Sequence, residues 1–165
     1  MTPGAPSAPD LAAAFRSAAS STWAVTTIAG EVPVGFTAIS VVSVSLTPAL
    51  VSFNLSRSSS SLPALVASRR FAAHLLAEDQ EALARRLAAP APGRFPADGT
   101  WVWGPDGLPE LAGVAARLSG VVRELVDAGD SVLVLGEVTA STVAERAPLV
   151  HHGRAYHRLP GRPAD

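Results

Sequence analysis

Apolar positions along this chain recur at two different periods, and the switches between them mark out the elements. Leu11, Ala14, Phe15 and Ala18 fall on one side of a helix that Asp10 is placed to cap. From Thr22 the spacing changes to β-branched runs. TWAVTTIAG reads as a strand, Ala29-Gly30-Glu31 as a turn, and VPVGFTAIS as a second strand. Gly35 inside that second strand predicts a bulge or a close approach by a ligand. VVSVSL and ALVSFNL form a hairpin-like pair around Thr47-Pro48. In the latter, Leu50, Ser52 and Asn54 alternate with Val51, Phe53 and Leu55, which leaves Ser52 and Asn54 on the more polar face.

The tract SRSSSS then opens a short helix, SLPALVAS, with serine at its cap and Pro63 in its first turn. RFAAHLL is another apolar strand. EDQEALARRLAAPAPG is an amphipathic helix with Leu83 and Leu87 on one face and an abrupt proline-rich stop. Arg94 to Pro109 reads as a Gly/Pro-rich loop carrying Trp101 and Trp103, which suit packing. Three long strands follow: VAARLSGVVRELVDAG, SVLVLGEV and PLVHHGRAYHRL. Six or more strands, short helices and no regular strand–helix alternation predict a mostly β, antiparallel barrel with helical decoration. Residues 1–9 read as a disordered tail, and residues 10–160 as one domain.

Composition narrows the chemistry. The 165 residues are 48% hydrophobic, enough for one well-formed core, and only 16% charged, against roughly 25% in an average soluble domain. A lightly charged exterior favours a homodimer. The net charge of −1, with no basic stripe, argues against nucleic acid. No apolar run reaches the roughly 20 residues of a membrane span, and the amino terminus lacks a signal-peptide core, so a cytoplasmic protein is expected. There is no cysteine, which removes thiol nucleophiles, cysteinyl metal sites and disulfides. All 13 basic side chains are arginine, which removes lysine Schiff bases and the P-loop. GxSxG, GxGxxG and HExxH are all missing. His151, His152 and His157 do not suggest a metal: on one strand, His152 and His157 would point to opposite faces, with no carboxylate spaced to complete a site. Arg85-Arg86 suit a solvated helix face, and Asp127 and Asp130 suit a turn about Gly129.

The stretch from Val34 to Leu65 carries the most chemistry. It sets small hydroxyl residues among β-branched ones, and a buried hydroxyl without a partner costs about 1–3 kcal/mol. A polar, planar, phosphate-bearing ligand lying along these strands would satisfy them. The serine tract before the helix, with Arg57 inside it, suits a phosphate.

The order GFTAIS, SVSLTPALVSF, NLSRSSSSLPAL, RFAAHLLAEDQEALARRLA, DAGDSVLVLGEV and PLVHHGRAY resembles the flavin reductase-like family of FMN-binding split barrels, the reductase partners of two-component flavin monooxygenases. The likeness spans about residues 15 to 158. It implies a six-stranded antiparallel Greek-key split barrel that forms a homodimer with one flavin site per subunit. It also implies FMN or FAD as flavin, NADH or NADPH as electron donor, and a partner monooxygenase reached by diffusible reduced flavin. On this resemblance, Thr37, Ala38, Ile39, Ser40, Ser43, Val44 and Ser45 line the isoalloxazine ring. Asn54, Ser56, Arg57, Ser58 and Ser60 hold the ribityl chain and phosphate, while Asp130, His152 and Arg154 meet the pyridine nucleotide. No catalytic side chain is required, because hydride passes between the two cofactors themselves. The chain departs from the family at Ile39, where Asn is usual, and at Ser131, where His is usual. Two other readings stay open: a flavin carrier with little reductase activity, and a split-barrel oxidase.

Overall fold

The computed structural model describes residues 10–160; the predicted tail, residues 1–9, lies outside them. Helix α1 (Leu11–Arg16) starts where Asp10 accepts the Ala13 N–H at 2.9 Å. Its apolar stripe is left open among the described residues: none of the helix residues is buried, and Phe15 is 70% exposed.

The central sheet is built from β2 (Trp23–Ala29), β3 (Val32–Ala38), β4 (Val42–Leu46), β5 (Ala49–Ser56), β6 (Arg70–Leu75), β9 (Ala116–Ala128) and β10 (Ser131–Val143). The order is β3-β2-β6-β9-β10-β5-β4, antiparallel at every pairing. Six strands curl into the barrel expected from the pattern. β4 adds a seventh at the outer edge, so the sheet is one strand wider than six. β3 and β5 are not paired neighbours, yet Phe36 and Phe53 meet across the barrel with ring centroids 6.3 Å apart. Phe53 and Phe71 pack edge to face at 5.5 Å, and these rings with Val25, Leu65 and Val134 form the centre of the core.

Two glycines allow the tight curl. A Cβ at Gly120 would lie 1.9 Å from the Glu137 carbonyl oxygen, and one at Gly136 would lie 2.4 Å from the Phe71 ring. Register shifts near Gly136 and between Val138 and Ala140 mark bulges that turn β10 around the barrel. Gly35, by contrast, keeps an unbroken register with Thr26. Where a bulge or a ligand's approach was expected, the close neighbour is the Phe95 ring, which would lie 2.8 Å from an added Cβ.

Helix α2 (Leu62–Ser68) closes one end of the barrel, burying Ala64 and Leu65. Helix α3 (Glu81–Ala88) buries Leu83, Ala84 and Leu87 against Ala24, Leu76 and Leu149, as its periodicity predicts. The presumed loop around the tryptophans instead contains a ribbon: β7 (Trp101–Trp103) pairs with β8 (Pro109–Leu111). The last strand segment is a hairpin of β11 (Leu149–His152) and β12 (Ala155–Arg158), which pairs with the short β1 (Ser20–Ser21). Among the described residues, no helix is long and apolar enough to cross a membrane, and no three metal-ligating side chains converge.

Candidate functional site

The loop from Ile39 to Val41 leaves β3 and turns toward β5. Among the described residues, none accepts a hydrogen bond from the backbone N–H of Ile39, Ser40 or Val41. The Ser40 hydroxyl accepts the Asn54 backbone N–H at 2.9 Å, which leaves its own proton free to donate. The Asn54 carboxamide points outward from β5 and bonds to no other described residue. Ser43 and Ser45 on β4 likewise have no internal partner, and a bulge between them leaves Val44 without a cross-strand neighbour. Ile39 is 45% exposed beside them. The loop and β4 therefore combine several unpartnered polar groups with the exposed apolar side chains of Ile39 and Val44. That chemistry fits a planar heteroaromatic ligand bearing acceptor atoms on one edge, as a flavin does.

Two members of the predicted ring-binding run are placed otherwise. The Thr37 hydroxyl donates to the Ala84 carbonyl of α3 at 2.6 Å, so it serves the helix–sheet contact and is not free for a ligand. Ala38 is buried in the barrel core. Thr37 turns outward toward α3 because alternate residues of a strand face opposite ways, while Phe36 and Ala38 turn inward.

The serine tract spends most of its donors on itself. The Ser58 N–H reaches the Ser56 hydroxyl at 3.2 Å, the Ser61 N–H reaches the Ser59 hydroxyl at 3.2 Å, and the Ser56 and Ser58 hydroxyls bond each other at 2.9 Å. Arg57 is engaged as well. Its Nε donates to the Gly129 carbonyl at 2.9 Å and its Nη2 pairs with Asp127 at 2.6 Å. Its backbone N–H donates to the Asp130 carbonyl at 2.9 Å, and Ser131 pairs with Ser56 across β5 and β10. The turn at Asp130 and the serine tract are thus one surface. The Asp130 carboxylate accepts from the Ser131 hydroxyl at 3.0 Å.

His152 and Arg154 do not share a strand face. β11 ends at His152, and Gly153 and Arg154 form the hairpin turn with positive φ angles of 58° and 66°. The same turn corrects the expectation for His152 and His157. They sit on facing strands with ring centroids 5.9 Å apart, because the chain reverses between them. Arg154 instead borders a cleft of about 210 Å³ with Phe15, Arg16, Ile39 and His151. The cleft joins the β11–β12 turn to the Ile39 face, so the two predicted ligand regions are contiguous there.

The residue that the pattern gave no reason to single out is Arg94. It lies in the presumed loop after α3, half-buried, and its Nη1 donates to the Gly35 carbonyl at 2.7 Å and the Ser61 hydroxyl at 3.2 Å. Burial holds its pKa below that of an ordinary arginine. Only the three-dimensional meeting of β3, α2 and this loop reveals it.

Comparison with known proteins gives a consistent picture. Residues 15–160 match the flavin reductase like domain. An NADH:FMN oxidoreductase of Rhodococcus erythropolis is 41% identical over 154 residues, which cover 90% of this chain and 80% of that protein. The reductase component of a flavin-dependent trigonelline monooxygenase from Acinetobacter baylyi is 34% identical over 148 residues, covering 89% of this chain and 47% of that protein. A Streptomyces globisporus NADH:FAD oxidoreductase, solved with NAD and FAD fragments, superposes with a TM-score of 0.86 at 31% identity, covering 93% of each chain.

Proposed function

This chain belongs to the flavin reductase-like family, and we propose that it is an NADH-dependent flavin reductase that reduces FMN or FAD and releases reduced flavin to a partner monooxygenase. The observation that carries this reading is the open donor face formed by the Ile39–Val41 amides, the Ser40 hydroxyl and the Asn54 side chain. When bound, the flavin supplies the two-electron acceptor for hydride from the dihydronicotinamide.

The protein's own part is to bind and orient. The loop amides and the Ser40 proton donate to the acceptor atoms of the ring's pyrimidine edge, where negative charge builds on reduction, and so favour the reduced form. Ile39 and Val44 give the ring an apolar seat, and Ser43 and Ser45 line it from β4. The Asn54–Ser60 tract follows the ribityl chain. Arg154, which borders the cleft beside Ile39, meets the pyridine nucleotide together with His152 at the end of β11 and Asp130 beside the serine tract. No side chain needs to act as nucleophile or base, because the hydride passes between the two cofactors themselves.

The protein functions as a homodimer in the cytoplasm on this reading. β4 is an edge strand whose exposed residues include Val42 and Leu46, the latter 87% exposed, and an apolar open edge invites a second copy. Anaerobic stopped-flow mixing of the protein with FMN and NADH tests the activity. Loss of the oxidised flavin band with multiple turnovers supports the proposal. Tight flavin binding without bleaching overturns it in favour of a carrier.

A further inference from the structure

Helix α1 stands off the barrel. None of its 6 residues is buried, with Leu11 65% and Phe15 70% exposed. Among the described residues, one hydrogen bond ties it to the rest of the fold, from the Gly153 N–H to the Arg16 carbonyl at 3.3 Å. So short a helix is far below the roughly 12–15 residues at which an isolated helix becomes even marginally stable, so its order depends on what it packs against. The chain leaves it through Ser17, Ala18 and Ala19, none of which bonds to the barrel among the described residues. It is fixed again at Ser20, which pairs with His151.

The cleft of about 210 Å³ is lined by this helix and its exit, through Phe15 and Ala18, and by the barrel, through Ile39, His151 and Arg154. Sites that enclose drug-sized ligands measure roughly 300–1,000 Å³. Admitting a dinucleotide beside a flavin therefore requires one wall to move. The barrel wall is rigid: His151 pairs with both Ser20 and Tyr156, and its ring packs edge to face on the Tyr156 ring at 5.4 Å. The helix wall, held by a single long hydrogen bond, is the one that yields.

We propose that α1 is a lid, hinged at Ser17–Ala19, that swings out to admit the pyridine nucleotide and closes with Phe15 against the outer face of its nicotinamide ring. The inference rests on the reading of the Ile39 face and the adjoining cleft as the place where flavin and dinucleotide meet. Hydride transfer needs the reacting atoms held about 3–3.5 Å apart with water kept out. Ile39 and Val44 seat one face of the stacked rings, and the opposite face needs a cover. Phe15 packs in neither core cluster, borders the cleft, and stands on the one element free to move. Closure takes it from exposure into contact with an aromatic ring. Phe15 is a positioning residue here: it presses the rings together and takes no part in the electron transfer.

The test follows amide exchange of residues 12–17 in the full chain, free, with FMN, and with FMN plus NAD⁺, which occupies the nucleotide site without turnover. Exchange should be fast in the first two states and slow at least about tenfold in the third. Rates unchanged by NAD⁺, or already slow in the free protein, overturn the lid. Slowing that tracks protein concentration without ligand overturns it too, and assigns the helix to a contact with a second copy. Kinetics supply an independent readout. Phe15→Ala should raise the KM for NADH about fivefold to tenfold, with kcat changed less and the FMN dissociation constant within about twofold. Phe15→Leu should recover most of the loss. The unfolding temperature should stay the same in both, because the side chain is exposed before closure. An unchanged KM, or equal weakening of FMN and NADH, overturns the proposal. If wild type binds both ligands without bleaching the flavin, the reductase reading falls alone, and protection of the helix by NAD⁺ still upholds the lid.

Discussion

Acid stability gives the most quantitative prediction, because one buried histidine dominates it. His74 lies on β6 opposite Arg117 of β9, fully buried. Its Nδ1 faces the Ala24 carbonyl at 3.2 Å, so it is the protonated nitrogen of the neutral ring, and Nε2 has no partner among the described residues. Burial is the largest influence and lowers the pKa from 6.5 to about 3; the Ala24 carbonyl opposes this, the Arg117 cation reinforces it and Asp106 opposes it. Above pH 6.5 the folded and unfolded chains both hold a neutral ring, and the group contributes no pH dependence. As pH falls below 6.5 the unfolded chain takes up a proton that the folded one refuses until about pH 3, so stability falls through that window. The slope approaches about 1.4 kcal/mol per pH unit, or roughly 2–3 kcal/mol lost by about pH 4.5, before most carboxylates titrate.

Urea unfolding followed by tryptophan fluorescence, at several pH values between neutrality and about 4.5, reads this directly. His74→Gln removes the titrating ring. Its stability at neutral pH falls through lost packing, but its decline with acid should be shallower than that of wild type by the same roughly 2–3 kcal/mol. Parallel pH profiles for the two proteins would refute the reasoning.

Three further outcomes follow from particular contacts. Gly136→Ala drives a Cβ to 2.4 Å from the Phe71 ring and should destabilise the fold by about 1–3 kcal/mol in denaturant titration, with partial relief from Phe71→Leu. Thr37→Val breaks the 2.6 Å bond to Ala84 and should lower stability by about 1 kcal/mol while leaving flavin affinity within about twofold, whereas Asn54→Ala should raise the flavin KM about fivefold to tenfold. Leu46→Asp on the exposed edge of β4 should shift sedimentation from twice the chain mass toward the single chain, raising the dimer Kd at least about tenfold.

Much of the fold is legible in the sequence because it rests on local periodicity. Leu83 and Leu87 mark the buried face of α3, and Val51, Phe53 and Leu55 mark the inward face of β5. What escaped are features set by partners distant in sequence. Trp101 to Trp103 is a strand only because Pro109 to Leu111 returns beside it. His152 and Arg154 look like one strand face until Gly153 turns the chain at positive φ, although the His-Gly-Arg triplet does carry that signal. The candidate site divides in the same way. Ser40, Ser43 and Asn54 announce themselves through hydroxyl and amide chemistry within a run of β-branched residues. Thr37 looks identical in sequence, and only the arrival of Ala84 from α3 shows that its hydroxyl is taken. Arg94 carries no local signal, since its contacts to the Gly35 carbonyl and the Ser61 hydroxyl form only in three dimensions.

Hydrogen–deuterium exchange with and without FMN tests the central claim most directly, because the amides of the exposed Ile39–Ser40 loop have no hydrogen-bond acceptor among the described residues and should exchange quickly in the free protein. FMN should slow exchange across residues 39–45 and 54–60 and leave the Trp101–Trp103 ribbon unchanged. Unaltered exchange in the 39–41 loop at saturating FMN, or protection confined to the ribbon, would contradict the account.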